Sequence, residues 1–305
     1  MIRPTPGFAR TLSATALAAL LLPSTACMIS VDSGDFNVRE EKTFEVTGTP
    51  DLTLITFDGS MEVRSWDRST VLVEIEKRAS DKAAADAMEV RAEQSGNVIR
   101  LEVKKPATST SSRFGMAGRS ARIVATVPKS CNLVARTGDG SISIERLDGK
   151  IDLDTGDGSV RAYTVEGSLR VRTGDGTIKA EHVDGTLDLD SGDGSASVSG
   201  RLAGLKLHTG DGTVVVRAED GSQMTEDWEI RTGDGGVRLE LPDGFNASVD
   251  ASTGDGRVRL EGFEVSAPPD SGDEATRRSL RQQLGNGGKQ LRVRSGNGSI
   301  TIRRL

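Results

Sequence analysis

Residues 135–160 read ARTGDGSISIERLDGKIDLDTGDGSV, and this stretch decides the fold. Thr-Gly-Asp-Gly begins at Thr137 and again eighteen residues later at Thr155. Copies follow at Thr173, Ser191 and Thr209 with the same step. The motif continues at Thr232 and Thr253 after steps of 23 and 21, and a last form, Ser295-Gly-Asn-Gly298, follows a gap of 42. A half-period shows as Asp148-Gly149, Glu166-Gly167 and Asp184-Gly185, each nine residues after the Asp-Gly of the main motif. Fixed internal periods mark stacked repeats. Each period is expected to hold two strands and two corners, forming one coil of a parallel β-solenoid with about 18 residues per regular coil.

Alternation assigns the faces. Ile142, Val160, Ile178, Ala196, Val214, Val237, Val258 and Ile300 share one position, and Ile144 to Ile302 share the position two residues on. On the other strand Ile151, Leu169, Leu187, Leu205 and Trp228 align. Period-2 spacing puts all of these on the inner face, where coils stacked at ~4.8 Å make continuous apolar ladders. The outward positions alternate in sign from coil to coil. One column runs Arg136, Asp154, Arg172, Asp190, His208, Arg231, and its neighbour Val134, Asp152, Arg170, Asp188, Lys206, Glu229. Opposite charges at lateral positions are worth ~0.2–1 kcal/mol per pair, so the alternation predicts the register.

Composition agrees with a thin core. With 36 glycines and 3% aromatics, the chain lacks the bulky rings that a wide α/β core of 305 residues would use. A net charge of −6 argues against nucleic acid as a partner.

The N-terminus reads as a targeting segment. Arg3 and Arg10 flank an apolar run, Thr11 to Leu22, then Ser24-Thr25-Ala26 precedes Cys27. Residues 1–26 are expected to be a signal peptide, Cys27 a lipidated cysteine and 27–39 the lipid-anchor tether. Ala26 fits that signal, whereas Ser24 stands where Leu is usual. Simple cleavage and a Cys27–Cys131 disulfide stay open as alternatives. Met28 after the cysteine allows an outer-membrane or cell-surface destination.

Residues 40–130 are expected to be a less regular, β-rich part. Asp51 to Phe57 and Thr70 to Glu76 read as strands, Ser80-Asp81 caps a short helix to Ala87, and Met88–Gln94 pairs with Val98–Lys104 across Ser95-Gly96-Asn97. Thr108 to Gly118 reads as a mobile loop. Residues 131–305 form the regular solenoid, with 261–288 a loop thrown out of the stack that carries a short helix near Glu274 to Leu284.

The corner aspartates Asp139, Asp157, Asp175, Asp193, Asp211, Asp234 and Asp255 hold one position without alternating sign. On one reading each caps backbone N–H groups of its own turn, with Gly supplying a positive φ. On the other they form a calcium-binding edge, since calcium favours carboxylate and carbonyl oxygens. Arg161, Lys179, Arg238 and Arg259 form a basic column, either a solvated face or a surface for anionic glycans or lipid headgroups. His182 and His208, the only histidines, sit on outward positions with nothing marking either as a base. No nucleophile elbow, metal-ligand cluster or phosphate loop is present. Asp152, Asp154, Arg170, Arg172, Asp188 and Asp190 could imitate the patch of a polysaccharide lyase, although the ladder rule already accounts for them.

Val127-Pro128 through Asn132-Leu-Val-Ala-Arg-Thr-Gly-Asp-Gly-Ser-Ile142, followed by repeats of Leu/Val-x-Gly-x-Leu-x-Leu-x-Thr-Gly-Asp-Gly, resembles the bacterial putative-adhesin family of β-strand-repeat proteins. The resemblance covers roughly residues 40–305. It implies an exported or envelope-attached right-handed β-solenoid with no catalytic residues to carry over. The expected function is a non-enzymatic envelope protein, held to a membrane by a lipid anchor and making contacts with envelope proteins or glycans. The alternatives are a lyase-like β-helix enzyme and a calcium-stabilised binding module.

Overall fold

The computed structural model describes residues 25–32, 35–104, 119–263 and 278–305. Among the described residues, twenty-one strands join in one open sheet that folds back on itself as a solenoid-like stack. The N-terminal strands are β1 (Thr25–Asp32), β2 (Asp35–Glu45), β3 (Asp51–Thr56), β4 (Met61–Trp66) and β5 (Thr70–Ala79). The helix α1 (Lys82–Asp86) precedes β6 (Val90–Ser95), β7 (Val98–Val103), β8 (Ser120–Pro128) and β9 (Asn132–Thr137). Four long strands bend at a corner: β10 (Ile142–Thr155), β11 (Val160–Thr173), β12 (Ile178–Ser191) and β13 (Ala196–Thr209). The remainder are β14 (Val214–Ala218), β15 (Trp228–Thr232), β16 (Val237–Leu241), β17 (Ala247–Thr253), β18 (Val258–Glu261), β19 (Ser279–Leu284), β20 (Gln290–Ser295) and β21 (Ile300–Arg304).

The register follows the repeat. Ile142 pairs with Val160 and Val160 with Ile178, while Ile151 pairs with Leu169 and Leu169 with Leu187, all in parallel. The inward positions form one continuous buried core. Leu260 is only partly buried, because β18 has a neighbour on one side alone. A local shift between β12 and β13 sets Val183 against Gly200 and Thr186 against Gly204.

The row order departs from the sequence order. β20 lies between β15 and β17, and β21 between β16 and β18. The last row of the chain is thus threaded between two earlier rows. The beginning mirrors this: β3 lies between β7 and β9, and β4 between β8 and β10. Two charged columns favour this order, one through Glu229, Arg292 and Asp250 and one through Glu240, Arg303 and Glu261, while a third sets Arg231 beside Arg294. In sequence order Glu229 would neighbour Asp250, whereas the observed order is Glu229, Arg292, Asp250. Opposite charges at each lateral step replace a repelling pair.

At the N-terminal end β8, β5, β2 and β1 extend one face by antiparallel pairing. Residues 27–39, expected as a tether, therefore run mostly as paired strand, with Cys27 opposite Glu40 and Val38 opposite Lys77. The reason is amphipathic: β2 buries Val38 and Phe44 against the core. The side chains of 25–35 are outside the description. Asp81 caps α1 by accepting from Ala84 N–H at 2.8 Å, and β6 and β7 form the hairpin expected at Gly96. The helix expected near Glu274 to Leu284 is overturned over its second half. Ser279–Leu284 is strand β19, paired antiparallel to β17, because Leu280 and Leu284 bury there while their neighbours face out. The loop expected at 108–118, all of 264–277 and residues 1–24 of the signal segment lie outside the described residues. Among the described residues no helix is long and apolar enough to cross a membrane.

Candidate functional site

The corner motif works differently from either sequence expectation. The Thr or Ser points inward and donates to the carbonyl of the second Gly in the neighbouring row. Thr155 Oγ1 reaches Gly140 O at 2.7 Å, Thr173 reaches Gly158 at 2.9 Å and Ser191 reaches Gly176 at 3.0 Å. The threaded row obeys the same rule, with Ser295 bonded to Gly235 and Thr253 to Gly298. The hydroxyl, not the carboxylate, satisfies the corner carbonyls. Among the described residues, Asp139, Asp157, Asp175, Asp193 and Asp211 accept no hydrogen bond. Positive φ is also absent from the motif glycines and falls instead at the other corner, at Gly149, Gly167 and Gly185. The motif needs Gly for close approach: a Cβ on Gly158 would lie 2.1 Å from Gly140 O.

The seven corner aspartates are exposed along one edge. Asn297 interrupts them, placed by the threading between the rows of Asp234 and Asp255, and its amide donates to Asp234 Oδ1 at 2.6 Å. Among the described residues no three His, Cys, Asp or Glu side chains converge as a metal-binding group. The sequence reading also missed a copy of the corner. Thr56-Phe57-Asp58-Gly59 occupies it, with Thr137 Oγ1 donating to Gly59 O at 2.9 Å. Phe in place of the first Gly hid it.

The basic column is split. Ser197 and Val215 separate Lys179 from Arg238, and Thr301 separates Arg238 from Arg259. On the opposite face the two outward columns have the predicted register, yet contact is sparse. Arg170 Nε donates to Asp188 at 2.9 Å, while Asp154, Arg172 and Asp190 form no ion pair among the described residues. The lyase-like set is thus a row of lateral neighbours. Hollows of about 310 and 440 Å³ lie over this face, one around His208 and the other around Asp152. His182 sits at a corner with φ 55° and meets Tyr163 edge-on at 5.2 Å between ring centroids. Cys131 is a free, fully buried thiol, pushed up to about 12 by burial and then by the charge of Asp51. Being unpaired, it overturns the Cys27–Cys131 alternative.

Asp250 carries a pH-dependent contact. Arg294 Nη2 donates to its carboxylate at 2.9 Å and holds it below the ordinary carboxylate value of 3.8, against the opposing effect of burial. A depressed folded value means the stabilisation is complete above 3.8 and is lost as pH falls through the folded value. Asp250→Asn is therefore expected to melt lower at neutral pH and to lose less melting temperature than the parent on acidification. Thermal melts across roughly pH 2–6 check this; parallel acid profiles would show that the pair adds nothing.

A cleft of about 790 Å³ was invisible to periodicity. Three irregular connections build it: the turn after β14, the 242–246 loop between β16 and β17, and the 285–289 loop between β19 and β20. Asp220, Gln223, Asp243 and Lys289 line it, with Met224 and Phe245 as its apolar part. Asn286 N–H donates to Asn246 Oδ1 at 2.7 Å, tying the last two loops together.

Residues 52–303 match the family model described as Toastrack DUF4097. No curated protein matches the chain. Among solved structures it is similar to a putative cell adhesion protein from Clostridium sporogenes at 14% identity, covering 88% of this chain and 99% of that one, with a TM-score of 0.31. A putative lipid binding protein from Parabacteroides distasonis is 14% identical, with coverage of 87% and 96% and a TM-score of 0.48. A putative adhesin from Bacteroides fragilis is 12% identical, with coverage of 88% and 97% and a TM-score of 0.37.

Proposed function

Since the chain belongs to the Toastrack DUF4097 family, we propose that it is an exported, envelope-anchored, non-enzymatic module whose rigid lateral surface makes contact with other envelope molecules. In this reading the stack is a right-handed solenoid with about 18 residues per regular coil, as the pairs from Ile142–Val160 onward suggest. One observation carries it. The outward side chains form lateral rungs along a stiff stack, and the charged residues that could act as acid and base sit side by side in those rungs instead of facing each other across a groove. Acid–base chemistry needs groups within reach of one substrate atom. The lyase reading fares worse on this geometry.

The test uses the mature protein immobilised on a surface. Saturable retention of purified envelope fragments, with no change in their polysaccharide chains, is the expected result. Time-dependent appearance of unsaturated uronate ends from acidic polysaccharides would overturn the reading in favour of the lyase. Anchoring has its own test. Cys27 is placed in β1 opposite Glu40, so a lipid there would join the end of the sheet directly. Cys27→Ala is expected to move the protein from the membrane fraction to the soluble fraction. Unchanged partitioning after fractionation would defeat the anchor.

A further inference from the structure

The 790 Å³ cleft exists because of the threaded row. Number the last rows in spatial order: β15–β16 first, β20–β21 second, β17–β18 third and β19 fourth. The 242–246 loop then runs from the first row to the third, and the 285–289 loop from the fourth back to the second. These spans interleave, so the loops cross on one edge. Connections on the same edge of a sheet normally do not cross. A local rule broken at one place points to function there. The crossing is also tight, since a Cβ on Gly285 would lie 2.3 Å from Asn246 Oδ1. Beside it the chain leaves room: Gly244 and Gly288 hold positive φ with no atom near their missing side chains.

We infer that this cleft binds a neutral, hydroxyl-rich glycan segment. The inference rests on the proposed role as a contact module and gives that module one defined site. Exposed Asp220 and Gln223 offer carboxylate and amide groups to hydroxyls, and Lys289 adds a donor. Half-buried Met224, beside Phe245, supplies an apolar patch for the C–H face of a sugar ring. Such a mix of a mostly pre-formed cleft and a few convergent polar groups is what small-ligand sites share. With Arg304 beside Asp243, the two carboxylates of the cleft meet two cations, so its charge balances, which suits a neutral glycan better than a strongly anionic one. Asp243 is already engaged by Arg304 at 3.2 Å, which leaves Asp220 as the free acid. The walls are loops and offer no open strand edge for a peptide.

Binding of short neutral oligosaccharides (gluco-, manno- and N-acetylglucosamine series) to the mature protein is measured by calorimetry. At least one series is expected to bind, and Gln223→Trp, which fills the cleft from an exposed position, is expected to weaken it about tenfold or more. Asp220→Ala should weaken it in the same direction, and Asp175→Asn, at an exposed corner several rows away, should leave it unchanged. Melting temperatures of all three variants should match the parent. Binding by none of the series, preference for acidic glycans or peptides, or equal binding by Gln223→Trp would each overturn the inference. Retention of envelope fragments by the Gln223→Trp protein separates the two claims: if it persists while no oligosaccharide binds, the glycan site fails and the contact role stands.

Discussion

Deleting residues 290–305 is expected to abolish cooperative unfolding at ambient temperature, not merely to shorten the stack. In a simple solenoid the last coil touches one neighbour, so its loss frays one end. Here β20 and β21 hydrogen-bond to rows on both sides. Leu291, Val293, Ile300 and Ile302 are fully buried. Burial of each such side chain is worth ~1.5–3 kcal/mol, so these four alone contribute roughly 6–12 kcal/mol. That rivals the ~5–15 kcal/mol of an entire domain. The deletion also bares two facing strand edges, β15–β16 and β17–β18, which are templates for aggregation. Circular dichroism melts and size-exclusion chromatography of the truncated chain check this. A monodisperse product melting within a few degrees of the parent would refute the threaded order.

That order was the part of the fold the sequence could not disclose by period alone. An 18-residue repeat states which positions are equivalent, and equivalent positions can be stacked in any order without disturbing the inner ladders. Val237 accepts Ile300 or Val258 as a neighbour equally well, since each presents a β-branched side chain to the same core. The charged columns distinguish the alternatives, through Glu229, Arg292 and Asp250 and through Glu240, Arg303 and Glu261. The faces, the regular register and the α1 cap were legible because alternation and capping are local signals. The cleft was not, because its walls lie where periodicity ends, and chain crossing has no local signature. β19 was misread because Ser279 to Leu284 contains Arg and Gln at spacings that suit a helix as well as a strand. The corner aspartate was misread for another reason. Asp is the familiar side chain for tying down turn donors, and the adjacent Thr or Ser performs the corresponding task for turn acceptors.

That last correction makes a ranked prediction at one corner. A Cβ on Gly176 would lie 2.1 Å from Gly158 O and 2.6 Å from Gly158 C, both backbone atoms of the neighbouring row. Neither can yield without separating the rows, so Gly176→Ala is expected to cost about 3 kcal/mol or more. Its φ is ordinary for an L-residue, so the cost is purely steric and Ser should fare no better than Ala. Gly174 faces its nearest backbone atom, Gly156 O, at 2.8 Å, and Gly174→Ala should cost less. Thr173→Val removes the hydroxyl that donates to Gly158 O at 2.9 Å and Gly156 O at 3.2 Å. Gly156 O keeps the Gly174 N–H, so one buried acceptor, Gly158 O, is stranded, at a cost of ~1–3 kcal/mol that places this variant below Gly176→Ala. Asp175→Asn should be neutral or slightly stabilising. Its exposed carboxylate holds no partner and sits between the rows of Asp157 and Asp193, where like charges repel. Salt screens such repulsion, so any gain should shrink as ionic strength rises. Urea unfolding of the four variants measures the order. If Asp175→Asn were as damaging as Gly176→Ala, the carboxylate would be holding the corner after all, and the hydroxyl-and-close-contact account of the motif would be wrong.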